Sequence, residues 1–502
     1  MPRSVSTAII GAGFGGIAAA HALREQGQDD IVVLERGERI GGVWRANTYP
    51  GIACDVPSHL YSLSFAPNPR WSRRFSPGDE IQAYLESVAR RFDLERHVRL
   101  GADVRGAAFD ADTGRWRLAL GDGEEIEAEV LIPACGQLTR PSIPEVPGLS
   151  AFAGEVFHSA HWPGESLLEG RRVAVVGTGA SAIQFVPRIA PHAEHVTIFQ
   201  RSAPWIIPKH DKPYARSSQR LMAHVPALQR AARESLWAGM EAIVPVFTRR
   251  PPLAARAIER LFALLTGTQR AVQLRGDRDL VAATTPDYAI GCKRVLLTSE
   301  WYPTLRRADV ELVTSPIADV TADAVLAEDG TRHEADTIVF GTGFTATEFL
   351  APMEIHGLGG VSLRERWRDG AEAYLGISVP GFPNMFLLYG PNTNHGTGSA
   401  LDLLEVQARY AAGAARLLAD GAAARLEVRP EVHEAFQREL AARLADSVWA
   451  TCSSWYVTES GRVTNNWPGT QTEYRRRARR IDPADYVVEA AGVPSERGVT
   501  PA

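Results

Sequence analysis

Residues 5–16 read VSTAIIGAGFGG and decide the fold. The short β-branched apolar run predicts a buried parallel strand, and the helical stretch IAAAHALREQG and the strand DIVVLER follow the glycine turn. In the GxGxxG pattern, Gly11 permits the tight turn, Gly13 lets a pyrophosphate approach the backbone, and Gly16 lets the helix pack closely on the strand. The stretch therefore predicts a βαβ unit that binds a dinucleotide.

The acid at the end of the second strand indicates which dinucleotide this unit takes. Glu35 lies 24 residues after Gly11, where a carboxylate accepts hydrogen bonds from ribose hydroxyls. The alternative is a tight turn that holds no ligand. Because a carboxylate suits an unphosphorylated ribose, the first turn is predicted to bind FAD.

The same unit recurs at residues 171–184, RRVAVVGTGASAIQ, with Gly177, Gly179 and Ala182 in the GxGxxA form. Arg201 stands 24 residues after Gly177, where the first unit has its acid. A guanidinium pairs with a 2′-phosphate that a carboxylate would repel, so the second site is predicted to prefer NADPH to NADH. The alternative is that Arg201 is a solvated surface cation.

Composition excludes several other classes of protein. The 502 residues carry a net charge of −5, which gives no electrostatic footprint for nucleic acid or for a membrane surface. The four cysteines, at 54, 135, 292 and 452, contain no CxxC pair, which argues against a disulfide framework, a metal site or a dithiol centre. Each is predicted to be a small packing residue in the reducing cytoplasm.

The chain is predicted to be an α/β protein with two Rossmann-like dinucleotide-binding domains. Residues 1–145 form the first part of the FAD domain, and residues 146–335 form the NADPH domain with a helical insertion at about 205–275. Residues 336–502 complete the FAD domain and end the chain, with a strand and a turn expected within 381–400. The apolar faces of the insertion are expected to be core rather than a membrane-binding surface.

Two longer patterns lie in order between the glycine turns. FAGEVFHSAHWP (152–163) matches the fingerprint FxGxxxHxxxW[PD], and GGVWRANTYPGIACD (41–55) matches [AG]GxWxxxx[FY]P[GM]xxxD. On these motifs the chain resembles the type I Baeyer–Villiger monooxygenases over most of its length. The resemblance implies that NADPH reduces FAD, that O2 adds to form a C4a-peroxyflavin, and that a ketone becomes an ester or lactone.

The resemblance also implies roles for individual residues. Arg294 is the catalytic cation that keeps the peroxide anionic, and Asp55 is its carboxylate partner. The FAD residues are Gly11, Gly13, Phe14, Gly16, Glu35, Gly42, Val43, Trp44, Asp55 and Tyr61. The NADPH residues are Gly177, Gly179, Ala180, Ser181, Ala182, Gln184, Arg201, Ser202, Lys293 and Trp455. The expected hinge between the domains contains Gly154, His158 and Trp162.

Two other functions stay open at this point. A flavin-containing monooxygenase that oxidises sulfides or amines shares both glycine turns, but it normally lacks the Trp162-Pro163 ending. A non-catalytic dinucleotide-binding redox sensor is the remote alternative. The expected partners are O2 and a ketone or sulfide, with no nucleic acid and no membrane, and the chain is expected to be a monomer or a weak homo-oligomer.

Overall fold

The structure is a computed structural model that describes residues 2–164, 168–247 and 253–489. The strands are β1 (Arg3–Ile10), β2 (Ile31–Glu35), β3 (Val98–Leu100), β4 (Val104–Asp110), β5 (Arg115–Leu120), β6 (Glu125–Pro133), β7 (Glu155–His158), β8 (Arg172–Val176), β9 (His195–Phe199), β10 (Ile206–Ile207), β11 (Leu296–Leu297), β12 (Val310–Val313), β13 (Ile317–Val320), β14 (Ala324–Ala327), β15 (Arg332–Glu334), β16 (Thr337–Phe340), β17 (Glu354–His356), β18 (Arg425–Val428) and β19 (Tyr486–Glu489). The α-helices are α1 (Phe14–Glu25), α2 (Val43–Ala46), α3 (Gly78–Arg91), α4 (Ala182–Ile189), α5 (Arg216–His224), α6 (Pro226–Glu241), α7 (Leu253–Gln273), α8 (Arg278–Ala283), α9 (Trp301–Leu305), α10 (Leu363–Arg366), α11 (Ala400–Ala419), α12 (Pro430–Ala445) and α13 (Gln471–Arg477).

The first sheet has seven strands in the order β17-β4-β5-β6-β1-β2-β3. β1 lies parallel to both of its neighbours, with Ile9 opposite Val33 on β2 and Ile132 on β6. All five residues of β2 are buried, as a central parallel strand requires. Helix α1 packs against α11, so a helix from the second half of the chain completes the core around the first glycine turn.

The second sheet has five strands in the order β12-β9-β8-β16-β7, and all of its pairs are parallel. Helix α4 covers one face, and the small antiparallel sheet β13-β14-β15 packs on the other through Val320 and Val325. The prediction of an α/β protein with two Rossmann-like dinucleotide-binding domains is confirmed, although the first sheet also contains the antiparallel pairs β4-β5 and β5-β6. Because β16 pairs with both β8 and β7, this sheet extends past the predicted boundary at residue 335.

Two chain segments cross between the sheets side by side. The first runs from β6 to β7 and the second from β16 to β17. The Ser142 amide donates to the Gly343 carbonyl at 2.8 Å, and the Thr345 amide donates to the Arg140 carbonyl at 3.0 Å. Residues 140–142 and 343–345 thus form a short antiparallel pair, which we call the interdomain ribbon.

The helical insertion consists of helices α5 to α7. In α7 the large aliphatic side chains, which were expected to be buried, are exposed, and polar side chains are buried instead. Thr266 and Gln269 face the protein, and the Gln269 amide donates to the Thr298 carbonyl at 3.1 Å. The exposed aliphatic residues of α7 are Leu253, Leu261, Leu264, Leu265 and Val272. The expectation that the apolar face of this helix is core is therefore wrong, because polar side chains with hydrogen-bond partners occupy the inner face.

The strand expected within 381–400 is also wrong. Residues 384–388 run beside β6, where the Phe386 amide donates to the Leu131 carbonyl at 2.9 Å, but they form only an isolated bridge. Asn384 and Tyr389 bound this stretch with φ values of +56° and +59°. Left-handed residues at both ends prevent an extended strand from continuing.

Two further observations bear on the class of protein. No helix within the described residues combines the length and the apolar composition that crossing a bilayer demands. In the same part of the chain, no cluster of three or more His, Cys, Asp or Glu side chains is arranged to hold a metal ion.

Candidate active site

The first glycine turn brings the end of β1, the start of α1 and the start of α2 together. Gly11 has a φ of +99°, and a Cβ atom there would lie 2.9 Å from the Ala134 carbonyl oxygen. A Cβ on Gly42 would lie 3.0 Å from the Cα of Gly13. The turn therefore needs glycine for reasons of backbone packing, and it leaves the amino end of α1 open to a phosphate group.

Glu35 lies under this turn and organises it. One carboxylate oxygen accepts from the Ala12 amide at 2.8 Å, and the other accepts from the Gly37 amide at 2.9 Å. The carboxylate is buried, and each of its oxygens keeps a second lone pair for a ribose hydroxyl. The acid is thus held at the end of β2, where an unphosphorylated ribose fits.

Aromatic side chains predicted to contact FAD converge beside the turn. The indole Nε1 of Trp44 donates to the Tyr61 hydroxyl at 3.0 Å, and the Phe14 ring meets the Tyr61 ring edge-on at 5.5 Å. Val43 follows Gly42 in the short helix α2. The structure therefore brings these predicted residues into one wall, and their chemistry fits a flat heterocyclic cofactor.

The second glycine turn repeats the geometry between β8 and α4. Gly177 has a φ of +103°, and a Cβ atom there would lie 2.7 Å from the Gly341 carbonyl oxygen. Ala182 is the first residue of α4 and is fully buried. Gly179, Ala180 and Ser181 complete the turn at the amino end of this helix. Both nucleotide turns thus have the form that the sequence predicts.

Two cations lie close together beside this second turn. The Lys293 ammonium donates to the Ser202 hydroxyl at 2.9 Å and lies over the Tyr288 ring at 4.6 Å. Burial lowers the pKa of Lys293, and the nearby charge of Arg201 lowers it further. Arg201 is exposed at the end of β9. An anion such as a 2′-phosphate would relieve this repulsion, so the residues fit the predicted group.

Arg294 and Asp55 form a bidentate ion pair across the two domains. The guanidinium Nε donates to one Asp55 oxygen at 2.9 Å, and Nη2 donates to the other at 2.8 Å. The Arg294 side chain stays 38% exposed and the Asp55 side chain 24% exposed, so the pair lines an accessible surface. The charge of Asp55 raises the pKa of Arg294 above its usual value, so the guanidinium is a permanent cation.

Sequence reasoning missed the groups around this pair. Tyr389 and Tyr456 are near enough to interact electrostatically with Arg294, and burial raises the pKa of Tyr456 to about 12. The Tyr389 hydroxyl donates to the Asn394 side chain at 2.8 Å. Lys209 lies near Asp55 from the second domain, and burial lowers its pKa. The sequence assigned none of these residues a role, because distant segments of the chain bring them to the site.

Cys292 and Cys452 form a disulfide, so the prediction of four separate packing cysteines is wrong for this pair. Their Cα atoms lie 6.2 Å apart although 160 residues separate them in the chain, and a spacing rule for close cysteines does not detect such a pair. Cys292 immediately precedes Lys293, and Cys452 lies three residues before Trp455. The disulfide therefore links the loop that carries Lys293 and Arg294 to the segment that carries Trp455.

We expect alkylation of the unfolded, unreduced protein to label two thiols, those of Cys54 and Cys135. Reduction before alkylation should raise the count to four, because it releases Cys292 and Cys452. Intact-mass spectrometry measures both counts, and the Cys452→Ser variant, with three labels before reduction, is the control. Four labels without a reductant would contradict the disulfide.

Gln184 connects the second nucleotide helix to the loop that carries Asp55. Its amide nitrogen donates to the Ala53 carbonyl at 3.0 Å, and its amide oxygen accepts from the Ala53 amide at 3.3 Å. The Tyr49 hydroxyl donates to the same oxygen at 3.1 Å. The contact of Gln184 with NADPH stays a prediction, and the carboxamide is hydrogen-bonded to the first domain here.

The linker fingerprint forms strand β7 and the turn after it. Gly154 has no room for a side chain, because a Cβ atom there would collide with the Asp336 carbonyl. His158 is buried, its Nδ1 accepts from the Ala160 amide at 3.1 Å, and burial lowers its pKa to about 4. Trp162 packs between Phe157 and Phe185. A neutral, buried histidine fits a structural joint better than proton transfer.

Trp455 is more exposed than its neighbour in sequence, Tyr456. Its side chain is 36% exposed, and its ring packs against that of Tyr456 at 4.2 Å. Tyr456 is buried beside Arg294. Trp455 thus lies at the solvent-facing side of this segment, and its contact with the nicotinamide stays a prediction.

Comparison with known proteins places this geometry in a family. Residues 4–222 match the family model described as flavin-binding monooxygenase-like. A relative from Streptomyces coelicolor named Baeyer-Villiger monooxygenase is 43% identical over 96% of this chain and 92% of its own length. This chain belongs to the Baeyer–Villiger monooxygenase family. A relative of the same name from Pseudomonas aeruginosa is 38% identical over 96% of this chain and 91% of its own length.

Solved structures of the family share the whole fold. Cyclohexanone monooxygenase from Rhodococcus sp. Phi1 bound to NADP+ is 27% identical, with a TM-score of 0.86 over 98% of this chain and all of that chain. The OTEMO complex with FAD and NADP is 25% identical, with a TM-score of 0.82 over 95% of this chain and 97% of that chain. The two predicted cofactors, FAD and NADPH, are confirmed, and the chain is an NADPH-dependent flavoprotein monooxygenase of the Baeyer–Villiger type.

Proposed function

We propose that this enzyme inserts one oxygen atom of O2 next to a ketone carbonyl, giving an ester or a lactone. The observation that carries the proposal is the bidentate pair of Arg294 and Asp55 at an accessible surface between the two nucleotide turns. Bound FAD supplies the activation of O2 with electrons that come from NADPH. The described residues supply the charge and the geometry that direct the oxidant to a carbonyl.

Arg294 has the central role in this proposal. Its permanent positive charge favours the deprotonated, nucleophilic form of the oxidant, which attacks a ketone carbon. Asp55 orients the guanidinium through two parallel hydrogen bonds and prevents rotation of its plane. Tyr389 and Tyr456 remain neutral phenols beside the pair because burial raises their pKa values. The same cation stabilises negative charge as it develops on the carbonyl oxygen.

The predicted cofactor residues define where each nucleotide is held in this proposal. The turn at Gly11 and the Glu35 carboxylate hold FAD, and the turn at Gly177 with Arg201 and Lys293 holds NADPH. We also propose that the chain divides into domains near residue 145, as the sequence predicts, and just after β16 rather than at residue 335, with Gly154, His158 and Trp162 in the joint.

The test is a screen for NADPH oxidation and product formation by purified enzyme. Cyclic, aryl and long-chain ketones and an aryl sulfide are supplied in turn, and products are identified by mass spectrometry. We expect a bound flavin absorbance and a product 16 Da heavier than at least one ketone. If no ketone were converted while the sulfide was oxygenated, the proposed ketone oxidation would be refuted. The alternative hypothesis, a flavin-containing monooxygenase that oxidises sulfides or amines, would then replace it.

The Gln184 contact gives a prediction about coupling between the domains. We expect Gln184→Leu to raise the fraction of NADPH that ends as hydrogen peroxide several-fold, because the Asp55 loop loses its hydrogen bonds to α4. Losing them should cost about 2 kcal/mol. The measurement is hydrogen peroxide formed per NADPH in the presence of a ketone.

The matched control is Gln273→Leu, which removes a glutamine of the helical insertion whose amide donates to the Ser299 carbonyl within its own domain. This variant should leave the peroxide fraction unchanged. Unaltered coupling in Gln184→Leu would show that the contact to Ala53 does not position Asp55.

A further inference from the structure

The helical insertion presents an aliphatic surface to solvent. The exposed fractions on α7 are 82% for Leu253, 54% for Leu261, 66% for Leu264, 48% for Leu265 and 68% for Val272. At 100° per residue these five side chains fall within an arc of about 120°, along a helix about 30 Å long. Large aliphatic residues on one exposed face indicate a binding surface.

The inner face of the same helix carries buried polar side chains. Thr266 is 1% exposed and Gln269 is 9% exposed, and both side chains have hydrogen-bond partners. Leu274, just after the helix, anchors the end of the segment in the core at 1% exposure. The Thr266 hydroxyl donates to the Ala263 carbonyl of the same helix, and the Gln269 amide holds the helix to the segment after β11. The side of α7 that carries the large aliphatic residues faces solvent.

The charge of the segment differs sharply from that of the whole chain. Residues 216–276 contain ten arginines, three glutamates and neither lysine nor aspartate, whereas the whole chain carries a net charge of −5. The exposed arginines include Arg260 on α7 and Arg275 just after it, and Arg216, Arg220 and Arg230 on the preceding helices α5 and α6. Basic and aliphatic side chains on one helical segment are the features by which peripheral proteins bind anionic lipid.

We propose that α7 and the exposed arginines of the helical insertion form a peripheral binding surface for an anionic phospholipid membrane. The apolar side chains enter the boundary between headgroups and acyl chains, and the arginines contact lipid phosphates. Such a surface differs from a membrane-spanning helix, which the described residues lack. The sequence-based expectation of no membrane partner is replaced by this proposal.

The charge and the shape of the surface favour lipid over protein. A symmetric dimer through α7 would bring two segments with the same positive surplus together, which is repulsive. The exposed patch contains only aliphatic side chains on one convex helix, whereas the cores of protein interfaces are enriched in aromatic residues. An anionic membrane is flat, deformable and negatively charged, so it complements both the positive charge and the shape of this surface.

The test is co-sedimentation of the FAD-loaded enzyme with sucrose-loaded vesicles. Vesicles of phosphatidylcholine with roughly one third phosphatidylglycerol are compared with pure phosphatidylcholine, at low salt and at about 0.5 M salt. We expect binding to the anionic vesicles that high salt weakens. The double variant Leu261→Gln, Leu264→Gln should lower the partition coefficient about tenfold and leave NADPH oxidation in free solution unchanged.

Two further variants separate the contribution of the α7 leucines from a general loss of exposed aliphatic surface and from the contribution of the arginine charges. The control Leu100→Gln, Val361→Gln removes aliphatic residues of similar exposure, 44% and 47%, elsewhere on the surface and should bind as the wild type does. The variant Arg216→Gln, Arg220→Gln, Arg260→Gln should lose the preference for anionic vesicles. No binding by the wild type, an equal loss in the control, or a dimer that the leucine variant dissociates without any vesicle binding would each overturn the proposal.

Discussion

Arg294→Ala is expected to lose ester formation by about 100- to 1,000-fold while it keeps flavin binding and NADPH oxidation. The side chain supplies the permanent cation of the site, and its removal leaves the Asp55 carboxylate without its bidentate partner. A lone carboxylate disfavours the anionic oxidant that carbonyl attack requires. The measurement is ester or lactone per NADPH oxidised, with hydrogen peroxide determined in the same sample.

The matched control removes an arginine that also forms a bidentate pair with a carboxylate but belongs to no predicted site. Arg307, just before β12, donates to the two oxygens of Asp309 at 2.8 and 2.6 Å, and the side chains are 39% and 31% exposed. Arg307→Ala should leave product formation within about twofold, because exposed pairs contribute little. If Arg294→Ala made ester near the wild-type rate, its catalytic assignment would fail.

Arg201→Ala is expected to raise the KM for NADPH about 30-fold and to change the KM for NADH little. A guanidinium–phosphate contact contributes about 2 kcal/mol, which corresponds to that factor, and NADH has no 2′-phosphate to lose. Lys293 keeps one cation near the site, so binding of NADPH should weaken rather than disappear. Initial rates of cofactor oxidation against concentration give both constants.

The control for this prediction is Arg306→Ala, which removes an exposed arginine of the same domain at the end of α9. Its KM values for both cofactors should match those of the wild type. An equal rise for NADPH and NADH in Arg201→Ala would mean that the residue acts on a part common to both nucleotides.

Much of the fold follows from local requirements that the sequence states directly. Gly11 and Gly177 each stand where the backbone has a positive φ and a carbonyl oxygen blocks any side chain, so the pattern of glycines predicts both turns. Glu35 ends β2 and Arg201 lies two residues after β9, and their opposite charges indicate different riboses. The pairing of Asp55 with Arg294 was predicted only through the family resemblance, because 239 residues separate the two in the chain.

Features that depend on tertiary packing could not be predicted from the sequence. The disulfide of Cys292 and Cys452 and the contact of Gln184 with Ala53 join segments that no spacing rule connects. The orientation of α7 was misjudged, because periodicity shows that a helix has an apolar face but not which way that face points. Thr266 and Gln269 lie on the inner face instead, and the Gln269 amide donates to the Thr298 carbonyl of another segment.

The interdomain ribbon limits how the two sheets can move. Residues 140–142 and 343–345 are hydrogen-bonded to each other, so neither crossing can lengthen or slide without breaking the pair. Any relative movement of the two sheets must therefore carry both crossings together as one unit, or else break the hydrogen bonds between them.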